Sequence, residues 1–204
     1  MPLCDLLVNC PAYGERGMAT GTIVRRFNVQ EFYKLAEAGI LSEDDRVELL
    51  DGQIMVMAPI GENHRTVVDS LAEVFTDQRR SRYRVAVQNP LRIDHQDEPQ
   101  PDIVLYDRSV IGRHPTPLDV FLIVEVADTS LDYDQRSKVP VYASAGIKEV
   151  WIIDLSTYSI QTYRDANTST RRYATVESHA RTSWISPLAF PDVRVCLDDL
   201  LRHG

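Results

Sequence analysis

The sequence predicts a mixed α/β domain, an α+β arrangement built around one mixed sheet. Three observations carry this. The run VFLIVEVA, Val120 to Ala127, is almost wholly apolar, as a strand covered on both faces must be. Two strand-like runs precede it, YRVAVQNPLRI from Tyr83 and DIVLY from Asp102, and EVWIIDL follows from Glu149. Helix-like stretches lie before and between these runs, at residues 62–80 and 134–145.

Taken in order, NVQEFYKLAEAGI opens on Asn28 with Glu31 three residues later. That is the pattern of a reciprocal capping box, and Gly39 stands where the helix should stop. RVELLDGQIMVM places two apolar-rich runs around Asp51-Gly52, a strong hairpin signal. In ENHRTVVDSLAEVFTDQRR, the residues Val67, Val68, Leu71, Val74 and Phe75 form one helical stripe. The three strand runs come next, then the helix-like segment with Pro140, which belongs in a first turn or forces a kink. After EVWIIDL, the pair YSIQTYR and RRYATVE reads as a further hairpin with alternating faces, and CLDDLLR as a closing short helix. No internal repeat or low-complexity linker divides the chain, so residues 26–204 are expected to form one domain.

Residues 1–25 are expected to be a loose tail. MPLCDLLVNCPAYGERG lacks the cationic start and long apolar core of a signal peptide. Met18 is a candidate physiological start, which mass spectrometry of the native N-terminus would test. With 204 residues, 44% hydrophobic and 25% charged, the chain has the composition of a globular protein rather than a disordered one. Its longest apolar run is far short of the roughly 20 residues that span a bilayer. Cys4, Cys10 and Cys196 have no zinc-like spacing and suggest reduced thiols in the cytoplasm.

A net charge of −8 argues against an extended cationic surface for nucleic acid, though not against a local basic groove. DQRRSRYR supplies Arg79, Arg80, Arg82 and Arg84. A helix C-terminus favours cations in any case, which is the plainer account of them; phosphate contact is the other.

The chemistry-bearing signal is acidic. Glu125 sits inside the apolar run, where an isolated charge must be paired, protonated or bound to a cation. If the strands of Asp102 and Glu125 are antiparallel neighbours, a constant index sum puts the two carboxylates opposite each other on one face. Such a pair repels unless a cation lies between, and hard oxygen ligands suit a magnesium-like ion. Taken alone, Asp102 reads better as a polar strand-start residue after Pro101; the pairing with Glu125 is what favours a metal site. Lys138 lies four residues after Asp134 and four before Tyr142, so the three share a helical face. That face is either a solvent-exposed ion pair or one turned toward Glu125. In the second case the ammonium can orient an attacking water or stabilise developing negative charge. Glu48, among Val47, Leu49 and Leu50, is a third acidic candidate. His64, near the start of the second helix, fits a hydrogen-bonded helix-terminal histidine better than a ligand and is left outside the core set.

The motifs VELLDGQI, HRTVVDSLA, PDIVLYD, VEVADTSLDYDQRSKVPVYASAGIKEVWIID and FPDVRVCLDDLL together resemble the Uma-type family of putative restriction endonucleases. That family is a branch of the PD-(D/E)xK nuclease superfamily, and the resemblance runs from about Arg26 to Leu201. It implies a restriction-endonuclease-like αβββαβ core flanked by an N-terminal helix and hairpin and a C-terminal β extension. It further implies Mg²⁺, with Mn²⁺ as a substitute, held by Asp102, Glu125 and the backbone carbonyl of Val126, polarising a phosphoryl oxygen and activating water. Glu48 corresponds to the glutamate contributed ahead of the core. The plain superfamily motif would place lysine where Ala127 stands; members similar to this chain carry it on the following helix, at the position of Lys138. The implied activity is metal-dependent phosphodiester hydrolysis, a DNA endonuclease acting on duplex, with a homodimer matching the two-fold symmetry of its substrate. Two alternatives stay open: a non-catalytic DNA- or protein-binding relative that keeps the fold, and a nuclease for RNA or single strands, for which no aromatic platform stands out.

Overall fold

The computed structural model describes residues 24–42 and 44–202. The expected tail up to residue 23, with Cys4, Cys10 and Met18, lies outside the described residues; Arg25, at its end, pairs with Glu31 of the first helix. Cys196 is buried as a free thiol. Among the described residues no helix is long and apolar enough to cross a membrane.

Helix α1 (Val29–Glu37) is closed at its start by the capping box: Glu31 N–H donates to Asn28 Oδ1 at 2.9 Å and Asn28 N–H to Glu31 Oε2 at 3.1 Å. Gly39, at φ +69°, ends it. Strands β1 (Val47–Leu50) and β2 (Gln53–Val56) form the hairpin expected at Asp51-Gly52, where both residues have positive φ. Gly52 is also needed for space, because a Cβ there would lie 2.7 Å from Arg26 Cβ and 2.9 Å from Phe27 O.

The main sheet has six strands in the order β3-β4-β5-β6-β7-β8. These are β3 (Tyr83–Val87), β4 (Ile103–Asp107), β5 (Val120–Ala127), β6 (Glu149–Asp154), β7 (Ser159–Asn167) and β8 (Arg172–Ala180). Only β5 and β6 are parallel; the other neighbours are antiparallel. Helix α2 (Glu62–Gln78) covers one face, packing Val67, Val68, Leu71 and Phe75 against Leu122, Val124, Val126 and Trp151. The helical segment between β5 and β6 covers the other, with Val139, Tyr142 and Ala143 against Ile123, Val150 and Ile152. The strand alternation therefore turns Glu125 toward that segment. Helix α2, strands β3 to β5, the crossover segment and β6 make up the expected αβββαβ core.

Some expectations need correction. The strand from Tyr83 stops at Val87 instead of running to Ile93, because Gln88 turns left-handed at φ +49° and Pro90 follows. The crossover segment starts earlier, as α3 (Leu131–Tyr133), and passes through a π-wound turn (Asp134–Lys138) into α4 (Val139–Ser144). Val139 N–H reaches the carbonyl of Asp134, and Pro140, which has no N–H to donate, sits in the first turn of α4. The β7–β8 hairpin is longer than expected. Two short strands, β9 (Trp184–Ile185) and β10 (Val195–Cys196), pair ahead of the closing helix α5 (Leu197–Arg202).

Candidate active site

Each candidate side chain reaches one place by a different local device. Glu125 projects from β5 because it shares the face of Ile123 and Ala127. Asp102, just before β4, continues the Ile103–Val124 register by one step and so falls opposite Glu125. Glu48 arrives on β1, which is tied down by the Leu49–Glu98 bridge and by Gln100 N–H donating to Glu48 Oε2 at 2.8 Å. Lys138 ends the π-wound turn.

The Lys138 ammonium is 4% exposed and stands among three carboxylates: 3.3 Å from Glu125 Oε2, 3.4 Å from Glu48 Oε2 and 3.9 Å from Asp134 Oδ1. The helical face of Asp134, Lys138 and Tyr142 is thus buried against Glu125 rather than exposed to solvent. Tyr142 Oη donates to Glu125 Oε1 at 2.5 Å, and Tyr133 Oη to Glu48 Oε1 at 2.8 Å. Asp102 accepts from Gln88 Nε2 at 3.1 Å on one oxygen. On the other it accepts from Val126 N–H at 2.8 Å and pairs with His64 Nε2 at 3.1 Å. His64 Nδ1 is buried without a partner.

Glu48, His64, Asp102, Glu125, Tyr133, Asp134 and Lys138 line one pocket of about 330 Å³. Its floor is the acidic cluster, and Met55, Met57 and Ile60 from the β2 side form an apolar wall. Four carboxylates, those of Glu48, Asp102, Glu125 and Asp134, face a single ammonium. Burial drives the Glu125 carboxyl well above its ordinary range; Lys138 opposes this, while Asp134, Asp102 and Glu48 reinforce it. Burial likewise raises Asp134 to about 6, against the pull of Lys138 and Ser130. Burial would lower Lys138, but Glu125, Glu48 and Asp134 outweigh it and hold the ammonium above its usual range. Burial would raise Asp102, but the combined pull of His64, Val126 and Gln88 outweighs it and lowers its carboxyl from the ordinary value. With Lys138 wedged between the acids, no three His, Cys, Asp or Glu side chains among the described residues are placed to enclose an ion.

Sequence reasoning undervalued four members of this cluster. His64 touches Asp102 directly. Gln88 reads from the sequence as a strand residue, because a left-handed glutamine carries no sequence signal. Tyr133 lies five residues before Lys138, a spacing that faces the same way only in a π turn. Asp134 was visible through its i, i+4 spacing to Lys138.

A buried acid-and-lysine cluster at the centre of an αβββαβ sheet is the arrangement of a nuclease-like fold. The chain belongs to the Uma2 family, described as "Putative restriction endonuclease", which matches residues 29–198. Its fold is similar to that of a solved structure from Anabaena variabilis, a "putative nuclease belonging to DUF820". The TM-score is 0.67 at 15% sequence identity, covering 86% of this chain and 98% of the other. No curated protein matches the chain in sequence.

Proposed function

We propose that the chain is a divalent-metal-dependent phosphodiester hydrolase acting as a DNA endonuclease. The carrying observation is the charge imbalance of the buried cluster, four carboxylates to one ammonium. Such a site holds protons or takes up a cation, and an all-oxygen donor set fits a hard dication. Asp102 Oδ1, Glu125 Oε1 and Glu48 Oε1 each accept a single hydrogen bond and keep a further lone pair for a metal.

Asp102, Glu125, the Val126 carbonyl and Glu48 would hold Mg²⁺, or Mn²⁺ in its place. When bound, the ion supplies Lewis acidity toward a phosphodiester oxygen and lowers the pKa of water. The protein's own groups do the rest. Lys138 is fixed by three acids at the floor of the pocket, where its ammonium can orient the attacking water and offset charge developing on phosphorus-bound oxygens. Tyr142 and Tyr133 fix the rotamers of Glu125 and Glu48, and His64 with Gln88 fixes Asp102. The apolar hairpin wall excludes water from one side of the scissile group. Duplex DNA as substrate and a two-fold homodimer complete the proposal, since cutting both strands favours two symmetric sites.

Calorimetric titration of Mg²⁺ and Mn²⁺ into wild type, Asp102→Ala and Glu125→Ala, with and without duplex, tests it together with cleavage assays. The expected result is wild-type binding that both variants lose, and cleavage that Lys138→Ala also loses. Full cleavage by any of the three would sink it.

A further inference from the structure

The arginines that follow α2 divide into two groups. Arg80 and Arg82 converge on Asp192, at 3.6 and 2.6 Å, and Arg82 also packs over the Phe190 ring. One shared carboxylate offsets part of their charge. Arg79 and Arg84 instead join Arg108, at the end of β4, around a cleft of about 160 Å³ that also includes Ser81 and Tyr83. Among the described residues none of these three guanidinium groups pairs with a carboxylate. Backbone carbonyls hold two of them: Arg84 Nε donates to Arg108 O at 3.3 Å, and Arg108 Nη1 to Ser81 O at 2.9 Å. The turn beside the cleft runs through two successive left-handed residues, Arg80 at φ +45° and Ser81 at φ +61°, a conformation L side chains disfavour.

Three exposed arginines without a counter-charge, on a chain of net charge −8, call for an anion. Their planar forks suit phosphate oxygens. One residue of the cleft also shares a sheet face with the pocket. Arg84 pairs with Tyr106 across β3 and β4, and Ala86, Val104 and Tyr106 pack into the cluster of Ile123 and Tyr142. Arg84 therefore lies on the sheet face that carries Glu125. Four residues along β4 and two strand spacings separate them, roughly 16 Å.

We propose that Arg79, Arg84 and Arg108 form a second, non-catalytic phosphate site that holds the nucleic-acid backbone a few nucleotides from the scissile bond. It depends on the nuclease reading of the pocket.

The test is fluorescence anisotropy of a labelled DNA duplex against salt, in EDTA so that nothing is cut. Arg84→Ala should weaken binding and lower the log–log salt slope by about one. Arg79→Ala, whose guanidinium makes no hydrogen bond among the described residues, should do the same without disturbing the turn. Arg172→Ala, at the start of β8 on the opposite sheet edge, should change neither, and thermal melts should show all three variants folded. Unchanged affinity and slope in both Arg84→Ala and Arg79→Ala, with wild type binding, would overturn the cleft and leave the pocket reading standing. Stabilisation by inorganic phosphate that Arg84→Ala abolishes, with duplex binding untouched, would make it a small-anion site and also overturn the proposal. Wild type that binds neither duplex nor single strands at low salt would overturn the nuclease reading and the cleft with it.

Discussion

Lys138→Met is the most informative single perturbation of this protein. The substitution keeps the length of the side chain and removes its charge. It leaves Glu48, Glu125 and Asp134, each 3% exposed or less, without the ammonium that stands 3.3–3.9 Å from them. Removing one partner of a buried ion pair costs about 3–5 kcal/mol, because the remaining charge stays desolvated. For a chain of this size that is a fall in Tm of roughly 6–20 °C. Glu125→Gln should cost much less, although it removes a group from the same cluster. It deletes one of four acids around one cation, so the lost attraction to Lys138 is offset by relief from Asp134, Asp102 and Glu48. Urea denaturation in EDTA, with wild type and both variants side by side, measures the two numbers. Mg²⁺ at 100 times its dissociation constant would then return about 2.7 kcal/mol to Lys138→Met if the acids still bind it. A Lys138→Met protein within about 1 kcal/mol of wild type, or less destabilised than Glu125→Gln, would refute the view that charge imbalance organises this site.

His64→Ala, which removes a partner of Asp102 without touching Glu125, should weaken divalent-ion binding by about 10–100-fold in calorimetry, while Asp102→Ala abolishes it. Glu149→Ala should destabilise by about 3–5 kcal/mol with metal affinity unchanged. It strands Arg164 and the Trp151 indole N–H at the end of β6 remote from the pocket, which denaturation and calorimetry together would show. Asp119 is held well below its ordinary range by Arg113 and by the Thr116 N–H and hydroxyl. A depressed carboxyl contributes stability above its unfolded pKa and loses it as pH falls. Melting curves should therefore separate Asp119→Asn from wild type at neutral pH, and the gap should close as pH drops below about 4.

Much of the fold was legible because local rules and tertiary packing agree. The Asn28–Glu31 box, the Asp51-Gly52 turn and the stripe from Val67 to Phe75 each specify their element from a few adjacent residues, and the structure keeps all three. Where an element depends on distant partners, the reading was less exact. Gln88 ends β3 early, its N–H donating to the Asp102 carbonyl and its side chain to the Asp102 carboxylate. The π turn at Asp134–Lys138 has no propensity signature of its own. It is stabilised by burying Lys138 beside Asp134 of the same turn and against Glu48 and Glu125, which come from two other places in the chain.

By itself the sequence determined the order and type of the elements, the antiparallel pairing that sets Asp102 against Glu125, and the presence of a carboxylate too deep in an apolar strand to be left alone. Alternation and capping are short-range, so they can be read from the chain. The tertiary structure decided which charges meet: that Lys138 is buried between Glu48 and Glu125, that His64 and Gln88 fix Asp102, and that Arg79 and Arg84 separate from Arg80 and Arg82. Those outcomes depend on Coulomb and desolvation energies that vary steeply over a few ångströms, and only the packed chain sets distances at that scale.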